Sequence, residues 1–188
     1  MQLGSTQAEL AACQGDLSAS TARVRQLQTQ LADCRARTGL PDTGQTKCYD
    51  QRGAGIPCGS ATCPGQDGSY STGCPSQGRF LDNGDGTVTD NCTGLQWQKD
   101  TGNRGNPLTW CEALAYCENL SFAGHDDWRL PNVRELESIV DYGRFNPSID
   151  PVFGVSSAGY WSSTAVAGGP GFVWNVIFEG GTLVSTSA

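Results

Sequence analysis

Apolar and polar positions along the chain follow three different periods, and each predicts a different kind of element. Leu3, Leu10, Leu17, Val24 and Leu31 recur at intervals of seven. With these at position a of a heptad, position d holds Thr6, Cys13, Ser20, Leu27 and Cys34. A repeat averaging 3.5 residues keeps one narrow seam turned toward a partner helix, so residues 1–38 are expected to form an oligomerising coiled-coil helix. An amphipathic helix lying on a globular head is the alternative, but the apolar stripe is narrower than a core-facing helix carries. In a parallel assembly the thiols of Cys13 and Cys34 from neighbouring chains would meet at the axis, which makes both candidates for interchain disulfides.

The period is lost at "TGLPDTG", residues 38–44. Pro41 stops a helix, Gly39 and Gly44 permit positive φ, and Asp42 and Thr43 favour turns, so the stretch is expected to be a joint. "LPDTG" is also the pentapeptide by which a sortase recognises its substrate. That signal needs an apolar span of about 20 residues after it, whereas polar "QTKCYDQRGAGIPCGSATC" follows. In the linker or collar expected over residues 39–78, residues 45–78 are short of apolar groups beyond Tyr49, Ile56 and Tyr70, and cannot offset their ordering entropy by burial. Cys48, Cys58, Cys63 and Cys74 supply the constraint, with Cys48–Cys58 and Cys63–Cys74 the expected local pairings of a stapled collar. Zinc on all four thiolates is the rival, although C-x9-C-x4-C-x10-C lacks tight ligand pairs.

Residues 79–188 alternate and cluster in the manner of a folded domain. Apolar positions flank "NGDG" in "RFLDNGDGTVTDNCTGLQWQKD", the mark of a hairpin. Read as a calcium loop instead, the same stretch puts Leu81 and Cys92 at the two essential ligand positions, so no cofactor is expected and calcium stays the alternative. Two helices follow, about 109–121 and 133–141, opened by Thr109 with Glu112 and Asn132 with Glu135 at capping-box spacing. The first is expected to bury Trp110, Leu114, Cys117 and Leu120, the second Val133, Leu136, Ile139 and Val140. Cys111 and Cys117 share a helix and cannot bridge each other, so Cys92 is expected to pair with one of them. "FVWNVIF" then alternates as a strand covered on both faces. Hairpin, helices and sheet together give an α+β class.

Composition sharpens the picture at two points. Nine cysteines with a single His and no C-x-x-C pair favour disulfides over metal, hence export to the cell surface or beyond, although no signal peptide precedes the heptads. Charge is uneven: residues 1–37 hold four Arg against three acids, and the remainder holds eight Lys and Arg against sixteen acids, a net −8. Such a head repels polyanions, which argues against nucleic acid, and no membrane span is visible. His125 in "GHDDWRLP" lies beside two carboxylates, but no nucleophile motif accompanies it, so a structural turn is expected and an enzyme is not. Asn91 and Asn119 begin glycosylation sequons, a weak signal.

At "DNGDGTVTDNCTGLQWQKD", "LTWCEALAYCENLSFAGHDDWRLPNVRELESIVDYG", "DPVFG" and "YWSST" the chain resembles the Lcl C-terminal domain family over residues 80–188. That family includes the head of a bacterial collagen-like adhesin. The resemblance implies a C-type-lectin-like fold, and members often sit on an oligomerising stalk, which favours a trimer over a dimer here. It also implies a final strand of the form Y-V-R-x-V-R, absent from "GGTLVSTSA", and a sulfated-polysaccharide ligand ill matched to a head at −8. Lectin-like folds present ligands on the loops around Tyr160–Gly171 and the strand at Trp174, making Tyr160, Phe172, Trp174, Asn175 and Glu179 the candidate ligand-binding residues. Trp161 and Trp174 alternate as core residues do. The expected function is an adhesin-like module binding surface glycan or protein, with a structural subunit of an extracellular filament or sheath as the alternative.

Overall fold

The computed structural model describes residues 17–18, 20–27, 40–70, 73–100 and 107–188. Internal contacts divide the chain into two units, Met1–Thr38 and Gly39–Ala188. In the first, residues 20–27 are helical, with Leu17 68%, Val24 54% and Leu27 48% exposed. Cys13 and Cys34 lie outside the described residues.

The second unit mixes helix with three antiparallel sheets. A short ladder joins β1 (Cys48–Tyr49) to β2 (Gly55–Ile56). The expected hairpin forms from β3 (Phe80–Asp82) and β4 (Thr87–Asp90), and β5 (Gln96–Gln98) extends the sheet. Its turn shows why "NGDG" works. Gly84 and Gly86 take φ of 76° and 89°, while Asp82 Oδ1 accepts from the Gly84 N–H and Asp85 Oδ1 from the Thr87 N–H. Both carboxylates are thus engaged as turn caps. Among the described residues no group of three or more His, Cys, Asp or Glu is arranged to hold a metal ion.

Both helices begin where the capping boxes place them. Thr109 opens α1 (Trp110–Glu118) and Asn132 opens α2 (Val133–Ser138), each with the reciprocal Glu contact. Both are shorter than expected. Asn119 ends α1 by turning its side-chain amide back onto the Ala115 carbonyl, 2.7 Å away. Beyond α2, Val140 leaves the helix to form a β-bridge with Ile149. Ile139 and Val140 are still buried, as expected, and so is Leu136. On α1 only Ala113 is buried, while Trp110, Leu114, Cys117 and Leu120 are half-buried. The indole N–H of Trp110 instead donates to the Ser162 carbonyl and that of Trp161 to the Leu108 carbonyl, at 2.8 and 2.9 Å. Such a ring needs a polar partner for its N–H, so it rests at the margin of the core.

The last sheet runs β6 (Gly159–Ala165), β7 (Phe172–Ile177) and β8 (Thr182–Ser187) in order. Val88, Leu136, Ile139, Val140, Ile149, Phe153, Val176 and Phe178 form the core, so hairpin, second helix and last sheet share one apolar centre. Each such side chain contributes about 1.5–3 kcal/mol by burial.

Two expectations need correction. Cys48 bonds to Cys58 as expected, but Cys74 bonds to Cys92 rather than to Cys63. Cys63, Cys111 and Cys117 carry free thiols, so Cys92 pairs with neither helical cysteine. The reason is that Cys74 is held before its thiol is considered: its N–H donates to the Leu40 carbonyl and its carbonyl accepts from the Asp42 N–H. Asn91 N–H donates to the Arg79 carbonyl, and together these bonds bring the Cα atoms of Cys74 and Cys92 to 5.8 Å. Within the expected joint, where the division between the two units falls, residues 40–44 dock on the head as a strap. Thr43 accepts from the Tyr142 N–H at 2.8 Å and its hydroxyl bonds to Asp67, while a Cβ on Gly44 would run into Asp141. Accordingly residues 39–78 belong to the same unit as the rest of the head.

Candidate functional site

The five residues singled out as ligand-binding do not converge. Tyr160 is half-buried with its ring edge-on to Phe178 at 5.4 Å, and its hydroxyl oxygen accepts from the Ser156 N–H. Trp174 is half-buried on β7, and its carbonyl accepts from the Ser162 hydroxyl. Asn175 is only 8% exposed, donates through Nδ2 to Thr186, and has its Oδ1 buried without a hydrogen-bond partner. Phe172 and Glu179 are exposed, but Phe172 opens β7 and Glu179 lies in the turn beyond its far end. The strand between them spans about 17 Å. The alternation that identified the strand therefore carried most of its residues into packing.

His125 lies in a tight turn closed by reciprocal backbone hydrogen bonds with Phe122. Its Nδ1 is 3.8 Å from Asp127, and its ring stands edge-on to Trp128. Across from it, Asp85 has its carboxyl held below the usual range, first by the Thr87 hydroxyl and least by the nearby imidazole. A recess beside Arg79, lined also by Asp42, Asp141 and Asp150, measures about 20 Å³, room for about one water molecule.

A different surface gathers exposed rings. Residues 141–148 fold against the turn from β7 to β8. Asn146 N–H donates to the Glu179 carbonyl, Ser148 N–H to the Phe178 carbonyl, and the Ser148 hydroxyl to the Arg144 carbonyl. Asp141 closes the loop from inside, accepting from the Gly143 N–H and from Arg144 Nε at 2.9 Å each. Phe145 is nevertheless 75% exposed and Tyr142 43%. Burial, and secondarily the charge of Glu137, raises the phenol pKa of Tyr142. Gly180 and Gly181 pass beside the two rings: a Cβ on Gly180 would lie 3.8 Å from Phe145, and one on Gly181 would be 3.2 Å from Tyr142. Of these residues only Glu179 stood out in the sequence. The available signal was "GRFNP", an aromatic residue set among turn formers, which no periodicity argument weighs.

Comparison with curated proteins and with solved structures gives no significant match. The family model of the Lcl C-terminal domain matches residues 86–188, more than half of the chain, beginning in the hairpin turn and running through β8. With both capped helices, strands β4 and β5 and the β6–β8 sheet inside that span, the chain belongs to the Lcl C-terminal domain family.

Proposed function

We propose that the chain is a non-enzymatic extracellular binding module, an adhesin-like, C-type-lectin-like head carried on a parallel coiled-coil stalk that favours three strands. The observation that carries this reading is the exposure of Leu17, Val24 and Leu27, the apolar seam positions of a stretch that is already helical. Apolar side chains repeated along one line and left in water mark a surface meant for other copies. Two disulfides in a head of modest core favour an oxidising, extracellular setting. No helix among the described residues is long and apolar enough to cross a membrane. Multiple heads on one stalk would engage a surface glycan or protein multivalently, so weak single contacts add up to firm attachment.

One observation favours the filament or sheath subunit as a second reading. Strand β8 ends its sheet, pairs with β7 without a bulge, and carries neither charge nor proline in "TLVSTS". Such an edge is open to pairing with another chain. Negative-stain microscopy of purified native protein separates the two: discrete clustered heads are expected, and continuous fibres would replace the adhesin reading with the structural one.

A further inference from the structure

We propose that Tyr142 and Phe145, with Gly180 and Gly181 between them, form a platform for an uncharged glycan. The proposal rests on the binding-module reading and deepens it by naming a site and a ligand class. Phe145 is three-quarters exposed on a loop whose backbone is fixed at Arg144, Asn146 and Ser148. Asn146 adopts φ of 53°, a left-handed conformation uncommon for a residue with a Cβ, and it follows the exposed ring directly. A large apolar side chain kept in water by a well-anchored loop is a feature to explain, because a freer chain would fold it away.

The floor and rim suit a sugar. A Cβ at Gly181 would collide with Val140 and crowd Tyr142, and Gly180 leaves the space beside Phe145 open, so the floor stays low. The exposed carboxylate of Glu179 and the half-exposed guanidinium of Arg144 stand at the edge, an acceptor and a donor for hydroxyl groups. One face of a pyranose ring is apolar C–H and its rim is hydroxyl, the same division as aromatic floor and polar edge.

Size and charge select the occupant. Taking 150–250 Å² for a full aromatic side chain, Phe145 at 75% and Tyr142 at 43% exposure present roughly 240 Å² together. A stable protein interface needs about 800 Å² per partner, so a second protein chain is too large an occupant for this patch alone. Residues 38–188 carry a net −8, with Glu137, Glu179 and Asp141 near the rings, which disfavours a sulfated or otherwise anionic chain.

The test titrates the full chain, by calorimetry and by amide chemical-shift mapping, with cellotetraose, maltotetraose and chitotetraose, and with a heparin tetrasaccharide as the anionic comparator. At least one neutral tetrasaccharide should bind and shift the Gly180 and Gly181 amides. Phe145→Ala should weaken it about tenfold or more, while Tyr70→Ala, a ring 62% exposed in the collar, leaves it within about twofold. Shift mapping on the unaltered chain keeps the test decisive should Phe145→Ala misfold. The proposal is overturned by binding of heparin alone, by no binding of any neutral tetrasaccharide, or by shifts elsewhere with Phe145→Ala silent. Adhesion of the unaltered chain to cells, scored alongside, separates the two levels. Adhesion that survives Phe145→Ala removes only the platform, and no adhesion at all removes the binding-module reading itself.

Discussion

Arg79 and Asp90 are the charged side chains most fully removed from water among the described residues, 4% and 0% exposed. The guanidinium meets the carboxylate with two parallel bonds, Nε to Oδ1 at 2.8 Å and Nη2 to Oδ2 at 2.6 Å, and spends Nη1 on the Ser138 carbonyl. Asp90 also accepts from the Cys92 N–H and the Thr93 hydroxyl. Each carboxylate oxygen thus accepts two hydrogen bonds, and the pair ties the hairpin to the end of α2. Burial pushes the Asp90 carboxyl up, but the hydrogen bonds from Arg79, Cys92 and Thr93 outweigh it and hold the pKa below the ordinary value. A carboxyl depressed in the folded state adds stability that is complete above the unfolded pKa, about 4, and disappears as pH falls through the folded one. Urea unfolding should therefore give a flat stability between pH 5 and 7 and a decline below about pH 4. Asp90→Ala should cost about 3–5 kcal/mol, because it strands a buried guanidinium, and should flatten that acid decline. An unchanged acid limb would assign the decline to other carboxylates. No sequence signal pointed to this pair: charges eleven residues apart on facing strands have no fixed spacing. Capping boxes, by contrast, are local, which is why Thr109 and Asn132 were legible.

At the scale of elements, what could be read depended on whether a bond is local. The hairpin turn, both helix starts and the Cys48–Cys58 closure each lie within a dozen residues and emerged from the sequence. Cys74–Cys92 did not, since its geometry comes from backbone pairing of residue 74 with Leu40 and Asp42, far away in the chain. For the same reason the docking of residues 40–44 was not legible: Pro and Gly announce a joint, but not the Tyr142 and Asp141 contacts waiting for it. Alternation in "FVWNVIF" is a signal of packing, and of the five candidate residues the fold buries Asn175, half-buries Tyr160 and Trp174, and leaves Phe172 and Glu179 exposed. Peptide mapping without reduction should recover Cys48–Cys58 and Cys74–Cys92 as linked pairs. Cys92→Ser should lower stability by about 2–5 kcal/mol, as loss of a native crosslink does in a small exported domain. Cys63→Ser should leave stability within about 0.5 kcal/mol, the range of surface changes. Equal losses from both variants would return Cys63 to the disulfide framework.

For the whole molecule, the decisive quantity is how many heads act together. One platform of roughly 240 Å² supports only weak attachment, whereas linked sites raise avidity by about 10²–10⁴ without any new contact. The seam is where that gain would arise, because Leu17, Val24 and Leu27 have no reason to stay exposed on a solitary helix. Val24→Glu with Leu27→Glu places two carboxylates at consecutive a and d positions, so that every partner helix brings like charges to the axis. Light scattering after gel filtration should find the unaltered chain at a multiple of 19.9 kDa, three copies by preference, and the double variant at one. The variant head keeps its fold, since the contacts that define it lie within Gly39–Ala188, and its thermal midpoint should match. Attachment to a ligand-coated surface should then fall by two orders of magnitude or more, while affinity for the free tetrasaccharide in solution stays the same. A single-copy mass for the unaltered chain would leave the heptads without their partner and reduce the proposed adhesin to a solitary weak binder.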